Sequence, residues 1–413
     1  MRPPFLRRLL RRVAPVAVLA LLAAHPVSAA AAPAASTAAG LQQVTGFGSN
    51  PGNLQMFAYT PDDVAPGAPL VVALHGCTQS ADAYYAHSGW AEYADLWGFD
   101  VVFPQTTAAN NPLSCFGWFD TNESTRGAGE AASVVQMVEY AKQTYGSDAD
   151  RVYVTGLSAG GGMTADLLAA YPDVFAGGSV ASGLPAQCAT SQLGASACQT
   201  GPQALTPAQW GDKVRGSYPG WTGPWPRVAI WQGTADYTVY PANATALRDQ
   251  WTDVWGIGQT PSSTESMPGG TTRSVYEDAS GQPAVETFSV SGMGHGLPVD
   301  PGSGDGQCGS TAAYFLDTIC STYHTGVFWG LDEGTPGGTD PGQDPDPDPA
   351  ACFTATNYAH VEAGRAYTSG GHAYANGSDE DMGLYNLFVT HTLRESPAGH
   401  FVIADSGCQA GSS

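Results

Sequence analysis

The chain has 413 residues, 43% of them hydrophobic, which suits one large domain with a smaller companion and excludes global disorder. Acidic residues outnumber basic ones 37 to 15, for a net charge of −22. Such a chain repels phosphate backbones, so nucleic acid is excluded as a partner, acidic polysaccharides are disfavoured and an uncharged substrate fits best.

Residues 1–32 read as a secretory signal peptide. Arg7-Arg8 and Arg11-Arg12 form a basic start, the apolar run 13–24 is too short to span a bilayer, and Val27-Ser28-Ala29 offers a small-residue cleavage site. The expectation is a secreted, extracellular protein without a membrane span; the paired arginines leave the general and twin-arginine routes both open. Eight cysteines in an exported chain imply disulfides. The simplest pairing is sequential: Cys77–Cys115, Cys188–Cys198, Cys308–Cys320 and Cys352–Cys408. No two cysteines sit at zinc-site spacing.

Residues 41–331 read as one α/β domain, because strand-like apolar runs alternate with helical patterns. Strands are expected at 70–74, 100–103, 151–154, 228–231 and 285–290, and helices at 81–97, 129–145 and 163–170. This order predicts an open, mostly parallel sheet covered on both faces. Residues 332–350 are mostly Asp, Pro, Gly and Thr and read as a stiff solvated tether. A calcium site there is the sharper alternative, but EF-hand spacing is absent. Residues 351–413 read as a small module, bracketed by Cys352 and Cys408 and holding seven aromatics but no tryptophan.

The sharpest signal is Gly156-Leu157-Ser158-Ala159-Gly160 between a strand and a helix. That is the setting of a nucleophile elbow, in which a tight turn lifts the serine hydroxyl out of the sheet. A serine needs a base, and the base an orienting carboxylate; in α/β-hydrolases they follow in the order serine, acid, histidine. Asp236 lies just past the strand 228–231, and His295 lies in the glycine loop Gly292-Met293-Gly294-His295-Gly296. Asp212, Asp249 and Asp253 lack a strand-end setting. His87 falls within an expected helix, and His324 has no glycine loop. The sequence Leu74-His75-Gly76-Cys77 follows the first buried strand. In this fold class that loop supplies one backbone N–H to an oxyanion hole and the residue after the nucleophile the other, here Cys77 and Ala159. Cys77 as nucleophile is the rival reading, but an oxidised cysteine cannot attack.

Leu74-His75-Gly76-Cys77-Thr78-Gln79, Cys115-Phe116-Gly117-Trp118-Phe119, Gly156 through Thr164, Tyr171 through Gly177, Gly233-Thr234-Ala235-Asp236 and Gly292 through Gly296 resemble extracellular poly(3-hydroxybutyrate) depolymerases. The resemblance covers about residues 45 to 331. It implies an α/β-hydrolase with Ser158 as nucleophile, Asp236 as acid, His295 as base, and Cys77 and Ala159 at the oxyanion hole. It implies no cofactor and no metal, and as partner an insoluble polyester attacked by a monomeric enzyme. The C-terminal module resembles the substrate-binding segments of such enzymes, although no fibronectin-like spacer precedes it. Trp118, Phe119 and Tyr237 would line an apolar cleft, or else be ordinary core aromatics. The alternatives are a feruloyl or acetylxylan esterase, which shares fold and triad, and a non-catalytic polymer-binding protein on a dead hydrolase scaffold.

Overall fold

In the computed structural model, the described residues are 40–62, 64–201, 203–304, 306–333, 352–386, 388–395 and 400–405. The expected signal peptide, nearly all of the tether and the Cys352–Cys408 bridge lie outside what is described. The chain divides into two compact units, 1–335 and 336–413.

The first unit is built on a ten-stranded sheet. Its strands are β1 (Gln42–Val44), β2 (Gln55–Tyr59), β3 (Leu70–Leu74), β4 (Asp100–Gln105), β5 (Val152–Leu157), β6 (Gly177–Ala181), β7 (Arg227–Gly233), β8 (Ser263–Met267), β9 (Thr271–Glu277) and β10 (Pro283–Val290). Their order is β1-β2-β4-β3-β5-β6-β7-β10-β9-β8. The central run from β4 to β10 is parallel throughout, with antiparallel strands on both flanks. Helices α1 (Ala81–His87), α2 (Trp90–Trp97), α3 (Thr121–Ser124), α4 (Gly129–Thr144), α5 (Ala159–Ala170), α6 (Gln192–Thr200), α7 (Pro207–Ser217), α8 (Ala242–Val254) and α9 (Ser321–Trp329) connect and cover the strands. A short pair, β11 (Leu297–Val299) and β12 (Phe315–Asp317), follows β10.

Every residue of β3 is buried, because a parallel sheet is covered on both faces. The strand's alternation divides it between two cores: Leu70, Val72 and Leu74 join one, and Val71 and Ala73 the other. The parallel arrangement sends the C-terminal ends of β3 to β7 and of β10 to one edge of the sheet, where α/β proteins place their sites.

Two expected elements differ. The expected helix 81–97 is two helices, broken at Gly89, whose φ of +84° is left-handed and where a Cβ would stand 2.7 Å from Cys308. The expected helix 163–170 begins four residues earlier, directly after Ser158. The run Gly160-Gly161-Gly162 is a poor helix former, but close packing overrides propensity: a Cβ on Gly162 would strike the Trp118 ring at 2.7 Å.

Glu130, on α4, is 2% exposed and accepts hydrogen bonds from Gly117 N–H at 2.6 Å and from the Thr106 hydroxyl and Asn110 amide at 3.4 Å. Burial pushes its carboxyl up to about 8, against the lowering effect of those bonds. The folded chain therefore holds a proton that the unfolded chain releases above about 4.5. The stabilisation is complete below that value and is lost as pH rises through about 8. Glu130→Gln should flatten the decline of melting temperature across this window and melt above the parent at alkaline pH. Parallel melting curves for parent and variant would show that the carboxyl is ionised throughout.

The second unit has two three-stranded sheets. One joins β13 (Cys352–Thr356), β17 (Thr390–Glu395) and β18 (Phe401–Ile403), and the other β14 (Ala366–Ser369), β15 (His372–Ala375) and β16 (Asp381–Leu384), with α10 at Asn357–Glu362. Its core is small: Ala366, Ala373, Ala375, Met382, Leu393 and Phe401. Tyr358 stacks on Tyr385 and Tyr367 on Tyr374, while Phe388 is 90% exposed.

Candidate active site

Ser158 sits between β5 and α5 with φ +58° and ψ −114°, a backbone strain that non-glycine residues seldom carry. Two glycines make the turn possible. A Cβ at Gly156 would lie 2.4 Å from the Gly160 carbonyl, and one at Gly160 would lie 2.5 Å from the carbonyl oxygens of Leu74 and His75. Ser158 N–H donates to Ala181 O at 2.9 Å, which pins the turn to β6.

His295 Nε2 lies 2.9 Å from Ser158 Oγ, and His295 Nδ1 lies 2.8 Å from Asp236 Oδ2. Asp236 is fully buried, and its Oδ1 accepts from the N–H groups of Thr238 and Val239 at 2.9 Å. Burial alone would raise this carboxyl. The histidine and the two N–H donors outweigh it and hold the group below the ordinary carboxylate value. The acid turn and the histidine loop are zipped together: Ala235 N–H donates to Met293 O, Thr234 N–H to Val290 O, and Gly292 N–H to the Thr234 hydroxyl. Gly233 permits this crossing, since a Cβ there would lie 2.3 Å from Met293 O.

Gln232 has no motif to announce it. Its amide donates to Asp236 Oδ2 and to Val239 O, both at 3.2 Å, which completes the acid's surroundings. The rival acids are engaged elsewhere: Asp212 and Asp253 with Arg215, and Asp249 with Arg248. His87 pairs with the Ser310 hydroxyl, and His324 packs near Trp231 and Phe288.

The loop after β3 is tied to the segment 113–115, to Ala313 and within itself. Cys77 is disulfide-bonded to Cys115, with Cα atoms 4.2 Å apart, and Thr78 N–H donates to Leu113 O at 2.7 Å. Gln79 accepts from Gly76 N–H at 2.7 Å and donates to Ala313 O at 3.3 Å. His75 is buried, and burial lowers its pKa to about 4, so the ring is neutral. Thr106 N–H donates to His75 Nε2, so Nδ1 carries the proton and donates to Gly76 O at 2.7 Å. Because the trans peptide sets C=O and N–H on opposite sides, this bond turns Cys77 N–H away from the imidazole. Ala159 opens α5, and a first-turn N–H has no acceptor within its own helix.

Two further disulfides, Cys188–Cys198 and Cys308–Cys320, have Cα separations of 6.0 and 5.4 Å. Of the three aromatics offered as cleft or core, Trp118 takes the core place. Trp118 is 3% exposed and packs on α5 and edge-to-face on the half-buried Phe119, so it belongs to the core. Tyr237 is 81% exposed. A shallow depression of about 240 Å³ lies beside the Cys77 loop, between Thr78, Gln79, Ala83, Ala312, Ala313 and Phe315. Among the described residues no group of three or more His, Cys, Asp or Glu could hold a metal ion, and no helix is long and apolar enough to cross a membrane.

The family model "Esterase PHB depolymerase" matches residues 55–275. The chain is 49% identical over 312 residues to poly(3-hydroxyalkanoate) depolymerase C of Paucimonas lemoignei, covering 75% of this chain and 74% of that protein. It is 41% identical over 265 residues to an acetylxylan esterase of Coprinopsis cinerea, covering 62% of this chain and 69% of that one. It is 38% identical over 271 residues to feruloyl esterase B of Talaromyces stipitatus, covering 64% and 74% respectively. Among solved structures, an acetyl xylan esterase from Aspergillus awamori superposes with a TM-score of 0.60 at 29% identity, over 71% of this chain and 99% of that one. A serine on a strained strand–helix turn, in an α/β-hydrolase sheet shared with these esterases, makes the chain a carboxylic ester hydrolase of the esterase PHB depolymerase family.

Proposed function

We propose that the chain is a secreted serine esterase that cleaves poly(3-hydroxybutyrate) or a related short-chain polyhydroxyalkanoate through an acyl-enzyme. The observation that carries this reading is the unbroken hydrogen-bonded series Ser158–His295–Asp236 at 2.9 and 2.8 Å. The 49% identity to a poly(3-hydroxyalkanoate) depolymerase supports the choice of substrate.

In the proposed mechanism Ser158 Oγ attacks the ester carbonyl carbon while His295 Nε2 takes its proton. Asp236 keeps the imidazole in the tautomer that receives it. The carbonyl oxygen becomes an oxyanion held by the N–H groups of Cys77 and Ala159. Collapse breaks the ester C–O bond, and His295 returns the proton to the departing alkoxide. Water, deprotonated by the same imidazole, attacks the acyl-serine, and the second collapse restores Ser158 and releases the acid.

The test is clearing of a poly(3-hydroxybutyrate) emulsion beside release of ferulate and of acetate from xylan. The proposed reading expects clearing to dominate; dominant ferulate or acetate release would assign the chain to the second reading. That reading draws on the 41% identity to an acetylxylan esterase.

The proposed organisation is a catalytic domain at 41–331, a tether at 332–350 and a polymer-binding module at 351–413. Exposed Tyr358, Tyr367 and Phe388 on a unit with so small a core support the module's role. A chain ending at Glu333 should turn over p-nitrophenyl butyrate nearly as the parent does and lose most of its attack on solid polymer. Equal attack on solid polymer would remove the binding role.

A further inference from the structure

The large apolar side chains exposed on the first unit are unevenly placed. Leu193 is 94% exposed, Tyr237 81%, Leu113 60%, Tyr314 44% and Tyr240 39%. All five lie on the connections that follow the C-terminal ends of parallel strands: Leu113 after β4, Leu193 at the start of α6 after β6, Tyr237 and Tyr240 after β7, and Tyr314 between β11 and β12 after β10. They therefore share the sheet edge that carries Ser158. Direct contacts agree: Leu113 O accepts from Thr78 N–H, Tyr314 packs edge-on against His295 at 6.0 Å, and Tyr237 follows Asp236. Among the described residues of this unit the remaining exposed large apolar side chains are Leu96 and Val327, on α2 and α9.

Two features set this edge apart. Each disulfide of the unit closes a loop bearing one of these side chains: Leu113 within Cys77–Cys115, Leu193 within Cys188–Cys198 and Tyr314 within Cys308–Cys320. Tyr240 joins the second loop, since its N–H donates to Gln199 O at 2.8 Å. Cross-linked loops hold these side chains outward and restrict the rearrangements that would bury them. The stretches that bear these side chains are also free of charge. Residues 76–81, 106–119, 182–211, 237–247 and 306–316 contain no Asp, Glu, Lys or Arg, in a chain of net charge −22. A water-facing rim has no need to exclude charge over such lengths. A rim that seats on an uncharged apolar solid does, because each charge pressed against it would lose hydration without gaining a partner.

We propose that these five side chains form an adsorption face through which the catalytic unit itself seats on the surface of an uncharged aliphatic polyester, with the active site facing the solid. The inference rests on the polyester reading above and adds to it a docking surface separate from the C-terminal unit. Adsorption by the C-terminal unit raises local concentration, whereas this face brings the scissile ester to Ser158.

The test uses the full chain and the double substitution Leu113→Gln/Leu193→Gln. The readout is the rate on a poly(3-hydroxybutyrate) film divided by the rate on p-nitrophenyl butyrate. The ratio should fall about tenfold, the loss expected for one or two large apolar contacts. In a Ser158→Ala background, which separates adsorption from hydrolysis, the same pair should weaken binding to the film, and unchanged melting temperatures would exclude misfolding. A ratio and an adsorption isotherm both within about twofold of the parent would overturn the proposal. So would a dimer that Leu193→Gln converts to monomer with the ratio unaltered, since the face would then belong to a second copy. If the parent adsorbs to the film without cleaving it, the depolymerase reading fails while the adsorption face stands.

Discussion

Replacing Ser158 by alanine is expected to lower ester hydrolysis by about 10⁴-fold or more, on soluble esters and on polymer alike. The hydroxyl is the only group that the proposed mechanism gives for forming the acyl intermediate, and His295 Nε2 at 2.9 Å has no other proton to take from the elbow. Binding to polymer granules should survive, because alanine removes one oxygen and leaves the exposed aromatics untouched. The turn itself should also persist, since its geometry depends on Gly156 and Gly160 and on the bond from residue 158 N–H to Ala181 O. Initial rates on p-nitrophenyl butyrate, with a granule pull-down, check both halves. A residual rate above about a tenth of the parent's would remove Ser158 from the nucleophile's role.

The second large effect concerns the acid and the base together. Asp236→Asn and His295→Ala should each cost on the order of 10³-fold or more, and the double variant scarcely more than the His295 change alone. The physical reason is that Asp236 acts through the imidazole. Its Oδ2 meets His295 Nδ1 at 2.8 Å, and its buried charge has no route to the ester except by orienting that ring. With the ring gone, the carboxylate has nothing to orient. Single and double variants measured under one condition decide the matter, and losses that multiply would show independent roles.

The pH dependence of Asp236→Asn adds a check on stability. The parent carboxyl is held below its ordinary value, so the stability it contributes is present above the unfolded value and is lost as pH falls through the folded one. The asparagine variant lacks that dependence and should close part of its melting-temperature gap to the parent as the solution is acidified.

What the sequence made legible followed from short-range chemistry. The elbow is local: two glycines, a serine and a preceding apolar strand lie within a few residues, so Ser158 could be read directly. The strand β3 was equally plain, because burial on both faces demands an unbroken apolar run. Asp236 and His295 stood out because one lies at a strand end and the other in a glycine loop, and the structure brings both into one hydrogen-bonded series with Ser158. What could not be read depends on distant partners. The break at Gly89 follows from the approach of Cys308, more than two hundred positions later in the chain. The helix over Gly160-Gly161-Gly162 follows from Trp118, which propensity does not see. Trp118 could be read from the sequence as cleft or core, and its ring fills the space beside those glycines. Gln232 and Gln79, which brace the acid and the loop after β3, carry no local signature at all. Strands β8 and β9 were hidden by composition: β8 is largely solvent-exposed and mostly polar, so it lacks the apolar pattern of the inner strands.

The contacts around Ser158 also set when the molecule can first act. The serine meets a histidine 137 residues further along, and that histidine is fixed by a carboxylate 59 residues before it. Closing chain segments of this length is slow compared with forming single helices or turns. A growing or partly folded chain has the elbow's anchor only once β6 has paired beside β5, and in the proposed mechanism it has no base until β10 has docked beside β7. By that mechanism enzymatic turnover is a late reporter of assembly: it begins only after the sheet has closed across nearly its whole width.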